Sequence, residues 1–153
     1  MSDVHVRQKQ LETALELLAP PPGITLRSWT EADFPAIQRL SSAEGWPTPQ
    51  QRPDEALSAW QHSWPTLVLT EDEHDQVIGF VRGLSDGEVT TFIAELLVAP
   101  EHRGKGLGRL LLDACHLLYP HTRLDLISDE KAVPFYKAIG FRYVGEGVRK
   151  SYR

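Results

Sequence analysis

Gly104, Gly106 and Gly108 fall at every second position and are interleaved with Arg103, Lys105 and Arg109. They lie between the apolar run Leu96-Leu97-Val98 and a leucine-rich stretch that starts at Leu107. A strand running into a glycine turn and then a helix can hold phosphate. Glycine lets the backbone bend tightly and come close to a ligand. The first N–H groups of a helix lack internal acceptors, and with the helix dipole they favour an anion. Three cations at this turn stand out in a chain with sixteen Lys+Arg against twenty-one Asp+Glu. Two familiar phosphate motifs do not fit. A P-loop needs Lys-Ser/Thr after its glycines, and the dinucleotide turn needs Gly-x-Gly-x-x-Gly, whereas the spacing here is Gly104-x-Gly106-x-Gly108. A tight strand-to-helix connection with solvated charges is the alternative on glycine spacing alone.

Other reactive side chains read more plainly. Cys115 follows Leu111 and precedes Leu118 at helical spacing, so a small buried thiol is expected rather than a nucleophile. The six histidines show no His-x-x-x-His or Cys/His metal spacing, and no metal is expected. His102 adjoins the glycine turn. Trp29, Trp46, Trp60 and Trp64 cluster early in the chain, and Trp46, flanked by Gly45 and Pro47, is the one placed to wall a binding site.

The elements that must position these residues follow from periodicity. Val4, Leu11, Ala14, Leu15 and Leu18 suggest an amphipathic helix that Pro20, Pro21 and Pro22 terminate. Ile24 to Arg27 is a strand. Thr30 and Asp33 mark a helix start, continued by Phe34, Ile37 and Leu40 on one face. Residues 41–53 read as loop, and Pro53 opens a helix that carries Leu57, Trp60 and Trp64 at helical spacing. Strands at 66–70, 77–84 and 88–98, joined by short polar turns, predict an antiparallel meander. Residues 107–118 form a helix, 123–127 a strand, and Pro134 to Ala138 a short helix closed by Gly140. Phe141 to Val144 and Val148 to Tyr152 predict a final hairpin. Strands first, then strand–helix–strand–helix–strand, is the pattern of a mixed α/β (α+β) sheet with flanking helices.

The 153 residues are the length of one domain. The net charge of −5 argues against a general nucleic-acid binder. No apolar run approaches the ~20 residues needed to span a bilayer. A single cysteine suits a reducing compartment, so the expected location is the cytoplasm.

Two segments together resemble one family. Arg103-x-x-Gly106-x-Gly108 after a strand resembles the acetyl-CoA signature of the GCN5-related N-acetyltransferase (GNAT) superfamily. Ala132-Val133-Pro134-Phe135-Tyr136-Lys137-Ala138-Ile139-Gly140-Phe141 resembles that superfamily's Ala-x-x-Phe-Tyr-x-x-x-Gly-Phe segment. The likeness covers residues 24–153, with 1–23 as a helical extension. It implies a mostly antiparallel central sheet with a splayed strand pair holding CoA. The main chain of Leu96, Leu97 and Val98 would meet the pantetheine, and Arg103, Gly104, Lys105, Gly106, Leu107, Gly108 and Arg109 would hold the pyrophosphate. Acetyl-CoA is the implied co-substrate, and an amine, on a small molecule or a protein, the implied acceptor. By the same resemblance Tyr136 is the general acid and Glu95 the candidate base, with a water chain as its alternative. A sensor that binds acyl-CoA without efficient transfer is the competing implication. Many members carry an asparagine where this chain has Asp129, which cannot donate when ionised; Asp129 is expected to serve a helix start instead. Homodimers are common in the superfamily, though no residue here demands one.

Overall fold

The computed structural model describes residues 3–152. Its sheet has five strands in the order β1-β2-β3-β4-β5. β1 (Ile24–Ser28), β2 (Thr66–Glu71), β3 (Gln76–Ser85) and β4 (Thr90–Val98) pair antiparallel, as the short polar turns between the last three predict. β5 (Arg123–Leu126) pairs parallel to β4. A parallel neighbour requires a crossover, which α5 (Leu107–Leu118) supplies. The remaining helices are α1 (Asp3–Glu16), α2 (Phe34–Ala43), α3 (Thr48–Gln51), α4 (Pro53–Gln61) and α6 (Val133–Ala138).

The sheet separates two cores. On one side α1 and α5 cover Leu26, Leu67, Leu69, Val81 and Ile93. On the other, α2 and α4 cover Val68, Phe80 and Leu97 around Trp60. Strand alternation explains the division: Leu67 and Leu69 point one way and Val68 the other. Leu11 and Ala14 of α1 are buried in the α5-side core. Fully burying a leucine contributes about 1.5–3 kcal/mol, which is what docks this helix. Two bulges adjust the alternation. Ile78 on β3 and Ala94 on β4 each lack a register partner. The second bulge lets Ile93 join the α5-side core while Glu95 shares the face of Leu97.

The entry to α2 is tied more firmly than its sequence motif suggests. Asp33 Oδ2 accepts the Thr30 N–H at 2.8 Å, and both carboxylate oxygens accept from the Arg27 guanidinium at 2.7 and 2.8 Å. Burial pushes the Asp33 carboxyl up, but the Arg27 and Thr30 hydrogen bonds outweigh it and leave the group below its ordinary value. Asp33→Ala should cost about 2 kcal/mol, the scale of a charge-assisted bond lost with its partner stranded. A depressed carboxylate stabilises the fold fully above its unfolded value of 3.8 and ceases to do so as pH falls through the folded value. Urea unfolding at pH 7 and pH 3 should therefore show the wild type losing its advantage over the variant in acid. An equal gap at both pH values would contradict this.

Three expectations require correction. Residues 142–152 form no hairpin: Tyr143, Val144, Val148 and Tyr152 are exposed. An unsupported two-stranded hairpin is marginal in water, and here the adjacent β5 offers an edge of only four residues. Trp64 does not continue the face of Trp60. Pro65 disfavours helix in the residue before it, so Trp64 leaves α4 and enters the opposite core. Residues 41–53 are not all loop: α2 continues through Ala43, and a separate turn, α3, is held by the Gln38 side-chain amide donating to the Pro49 carbonyl at 2.8 Å.

Cys115 is fully buried in α5, and burial pushes its thiol up to about 12. At pH 8 only about one thiol in 10⁴ would be ionised. Iodoacetamide should leave the native protein unlabelled and react once denaturant opens it. Rapid labelling of the folded chain would refute the burial.

Candidate active site

The β4–β5 ladder runs from the Thr90/Arg123 pair to the Ile93/Leu126 pair and stops. Beyond it, Glu95 to Val98 keep β3 on one side and, among the described residues, have no strand partner on the other. This is the splayed pair that the family resemblance implies. Its open edge exposes backbone hydrogen-bonding groups that an extended ligand arm could use. The Ala99 N–H donates to Ile78 on β3 at 2.8 Å. Successive N–H groups alternate along a strand, so the Val98 N–H points to the open side.

The glycine turn follows at once. A short 3₁₀ turn, Pro100–His102, lifts the chain off the sheet. Gly104 and Gly106 take φ of +76° and +78°, the left-handed region that suits glycine. Gly106 is the residue from which α5 starts. Gly108 is used differently. A Cβ there would lie 3.1 Å from Phe135 Cζ, so its bare Cα is what lets α6 close against the first turn of α5. Lys105 and Arg109 are exposed. The Arg103 side chain turns back toward the strand: its Nε donates to the Val98 carbonyl at 2.9 Å and its Nη2 to Glu44 at 2.6 Å.

Tyr136 lies half-buried on α6, its ring 5.0 Å from Phe135 and 5.4 Å from Phe141 between centroids. Burial, and next the Asp129 carboxylate, hold its phenol above the ordinary value, so it is a proton donor at neutral pH. Asp129 accepts the Ala132 N–H at 2.9 Å, and Ser128 Oγ donates to the Asp129 carbonyl. The aspartate thus caps the turn that leads into α6.

Glu95 faces the α2–α4 side of the sheet. Its cross-strand partner Arg82 donates to it at 2.8 Å through Nε, and also reaches Ser63 Oγ at 3.2 Å. Leu96 and Val98 point the other way and pack toward α5, while Leu97 is buried among Trp60 and Phe80. Trp46 packs against that second core, its N–H donating to the Ser41 carbonyl at 2.8 Å. His102, Lys105 and Leu107 line a cavity of about 500 Å³ with Pro21, Gly23 and Glu73. Spacing in the sequence missed two neighbours here and one contact. Arg82 is legible only from strand register and Glu44 only from contacts across the fold, while Phe135, named in the Ala132–Phe141 segment, gave no sign that it meets Gly108. It also missed Glu71, Glu73 and His74, whose ligand-type atoms lie within 4.8 Å of one another on the β2–β3 turn; His74 Nδ1 lies within hydrogen-bond distance of the Glu71 carboxylate, 2.9 Å from Oε2.

The family model described as an acetyltransferase (GNAT) domain matches residues 63–143. A protein of Glycine max named histone acetyltransferase TAP1 is 28% identical over 139 residues, 82% of this chain and 59% of that protein. The chloroplastic GCN5-related N-acetyltransferase 2 of Arabidopsis thaliana is 27% identical over 148 residues, 82% of this chain and 56% of that protein. The chain therefore spans less than two thirds of the length of these relatives. A crystal structure from Deinococcus radiodurans R1, assigned there as an acetyltransferase, superposes with a TM-score of 0.69 at 27% identity, covering 88% of this chain and 93% of that one.

Proposed function

Because the chain belongs to the GNAT acetyltransferase family, we propose that it moves an acetyl group from acetyl-CoA to an amine by direct attack in a ternary complex. The observation that carries the reading is the ladder that stops at Ile93, leaving a free strand edge that leads straight into a glycine turn. The donor's pantetheine arm would pair with Leu96 to Val98, and its pyrophosphate would meet the N–H groups from Gly104 to Arg109 and the exposed Lys105 and Arg109 side chains. The Val98 N–H, on the open side, would bind the thioester oxygen as negative charge develops there in the transition state.

The residues divide the proton work. The amine must attack unprotonated, and the tetrahedral intermediate must expel a thiolate. Tyr136 stays protonated and would supply the leaving sulfur with its proton, which suits an acid with a raised value. Glu95 accepts a hydrogen bond from Arg82 on the face opposite Leu96, alongside α2 and α4. It would take the amine's proton directly or through water, with Arg82 fixing its orientation. The acceptor would enter between this face and the 44–47 segment bearing Trp46. We assign residues 24–153 to the transferase domain and 1–23 to an extension whose Leu11 and Ala14 complete its core. The buried thiol of Cys115 suits a reducing compartment such as the cytoplasm.

Calorimetry with acetyl-CoA, followed by thiol release on a panel of amines that includes lysine peptides, tests the proposal. Binding followed by thiol release with at least one amine is expected. Binding with no release on any amine would favour an acyl-CoA sensor, and no binding would overturn both.

A further inference from the structure

Arg103 belongs by sequence to the glycine turn, yet its guanidinium is engaged elsewhere. Nε donates to the Val98 carbonyl at 2.9 Å, at the end of the open strand edge, and Nη2 meets Glu44 Oε2 at 2.6 Å. Glu44 is 59 residues away in sequence. It directly follows α2 and begins the short segment Glu44-Gly45-Trp46-Pro47 that leads into α3. That segment is tethered at its other points by local backbone bonds: Glu44 N–H to Leu40 and Ser41, Gly45 N–H to Ser42, Trp46 N–H to Ser41. The Glu44 carboxylate ties it instead to the cofactor turn. Both side chains remain partly open to solvent, 47% for Arg103 and 32% for Glu44, so a ligand can reach them.

We infer that Glu44 is a positioning residue that couples the donor turn to the acceptor-side segment by competing with the donor's phosphates for Arg103. The inference rests on the acetyl-CoA reading above. The guanidinium has five N–H donors in a fixed fork. With Nε on the Val98 carbonyl and Nη2 on Glu44 the fork is turned toward the strand end, so to face a phosphate on the glycine turn it must swing away from the carboxylate. A diphosphate arriving on the Gly104–Gly108 turn draws Arg103 toward itself and frees Glu44, and with it the segment that carries Trp46. By reciprocity, whatever holds Glu44 against Arg103 lowers donor affinity by the same factor. The pair is half-exposed, so the coupling is modest, about two- to five-fold, the range of a solvent-screened ion pair.

A double-mutant cycle read by acetyl-CoA titration tests this. Glu44→Gln should bind acetyl-CoA about two- to five-fold more tightly than wild type. In the Arg103→Gln background the same change should have no effect, because the group competed for is gone. Trp46 fluorescence should shift during titration of the wild type, and this shift should be absent in Glu44→Gln; a Trp46→Phe control identifies the signal. Unchanged or weakened affinity in Glu44→Gln would overturn the inference. So would an equal gain in both backgrounds, which marks only the removal of a nearby negative charge. Failure of the wild type to bind acetyl-CoA at all would overturn the donor reading itself. Thermal melts of the four proteins verify that each is folded.

Discussion

Replacing Tyr136 by phenylalanine should lower turnover about 10²- to 10⁴-fold, the contribution of a well-placed general acid, and leave acetyl-CoA affinity unchanged. The substitution keeps the ring that meets Phe135 and Phe141 edge to face, so α6 keeps its seat against Gly108. Only the hydroxyl is lost. Stopped or steady-state thiol release with a reactive amine, beside calorimetry of the donor, separates the two quantities. Turnover equal to wild type would remove Tyr136 from the proton path. The alkaline side of the wild-type profile should also follow this group. Burial, then Asp129, hold the phenol above its ordinary value of 10, so activity should persist past the pH at which a solvated tyrosine ionises. In Asp129→Asn the negative neighbour is gone, and the alkaline fall should begin at lower pH.

Gly106→Val should abolish detectable acetyl-CoA binding, a loss of at least about tenfold, or roughly 1.4 kcal/mol. Two causes act together. The position has φ of +78°, where an L-residue costs about 1–2 kcal/mol. The space beside Gly106 is open, with nothing within 4 Å of a Cβ built there, so no protein atom would clash with the side chain even though its backbone is strained. What the valine would meet is the incoming phosphate. The strain should appear as a lowered melting temperature with native circular dichroism, and the blocked approach as lost binding. Wild-type affinity in a folded variant would move the phosphates away from this turn.

Gly104, Gly106 and the strand before them were legible because local spacing carries their geometry. A glycine turn at a strand-to-helix junction is determined by residues adjacent in the chain. The same is true of Cys115, whose helical phase predicts its burial. Arg82 beside Glu95 was not legible, because a bulge at Ala94 sets their register and nothing in the residue types announces it. Glu44, and the contact that Phe135 makes with Gly108, were hidden for a related reason: each meets the glycine turn across the fold, 59 residues away in the case of Glu44. The failed hairpin at 142–152 is the opposite error. Alternating apolar residues suggested strands, but alternation specifies structure only where a surface exists to bury one face, and the residues beside β5 leave those side chains in solvent.

The division of the core by the sheet bears on how such a protein changes over time. Trp60, Phe80 and Leu97 pack under α2 and α4, whereas Leu107, Leu111 and Cys115 pack with α1 on the other side. Mutational effects at sites that share no neighbours add, and those within one packed cluster do not. Substitutions beneath α2 and α4 can accumulate and be tuned against one another without epistasis on the half that carries the glycine turn. One half can then be repacked while the other stays constant, with the Arg103–Glu44 contact as a bridge between them.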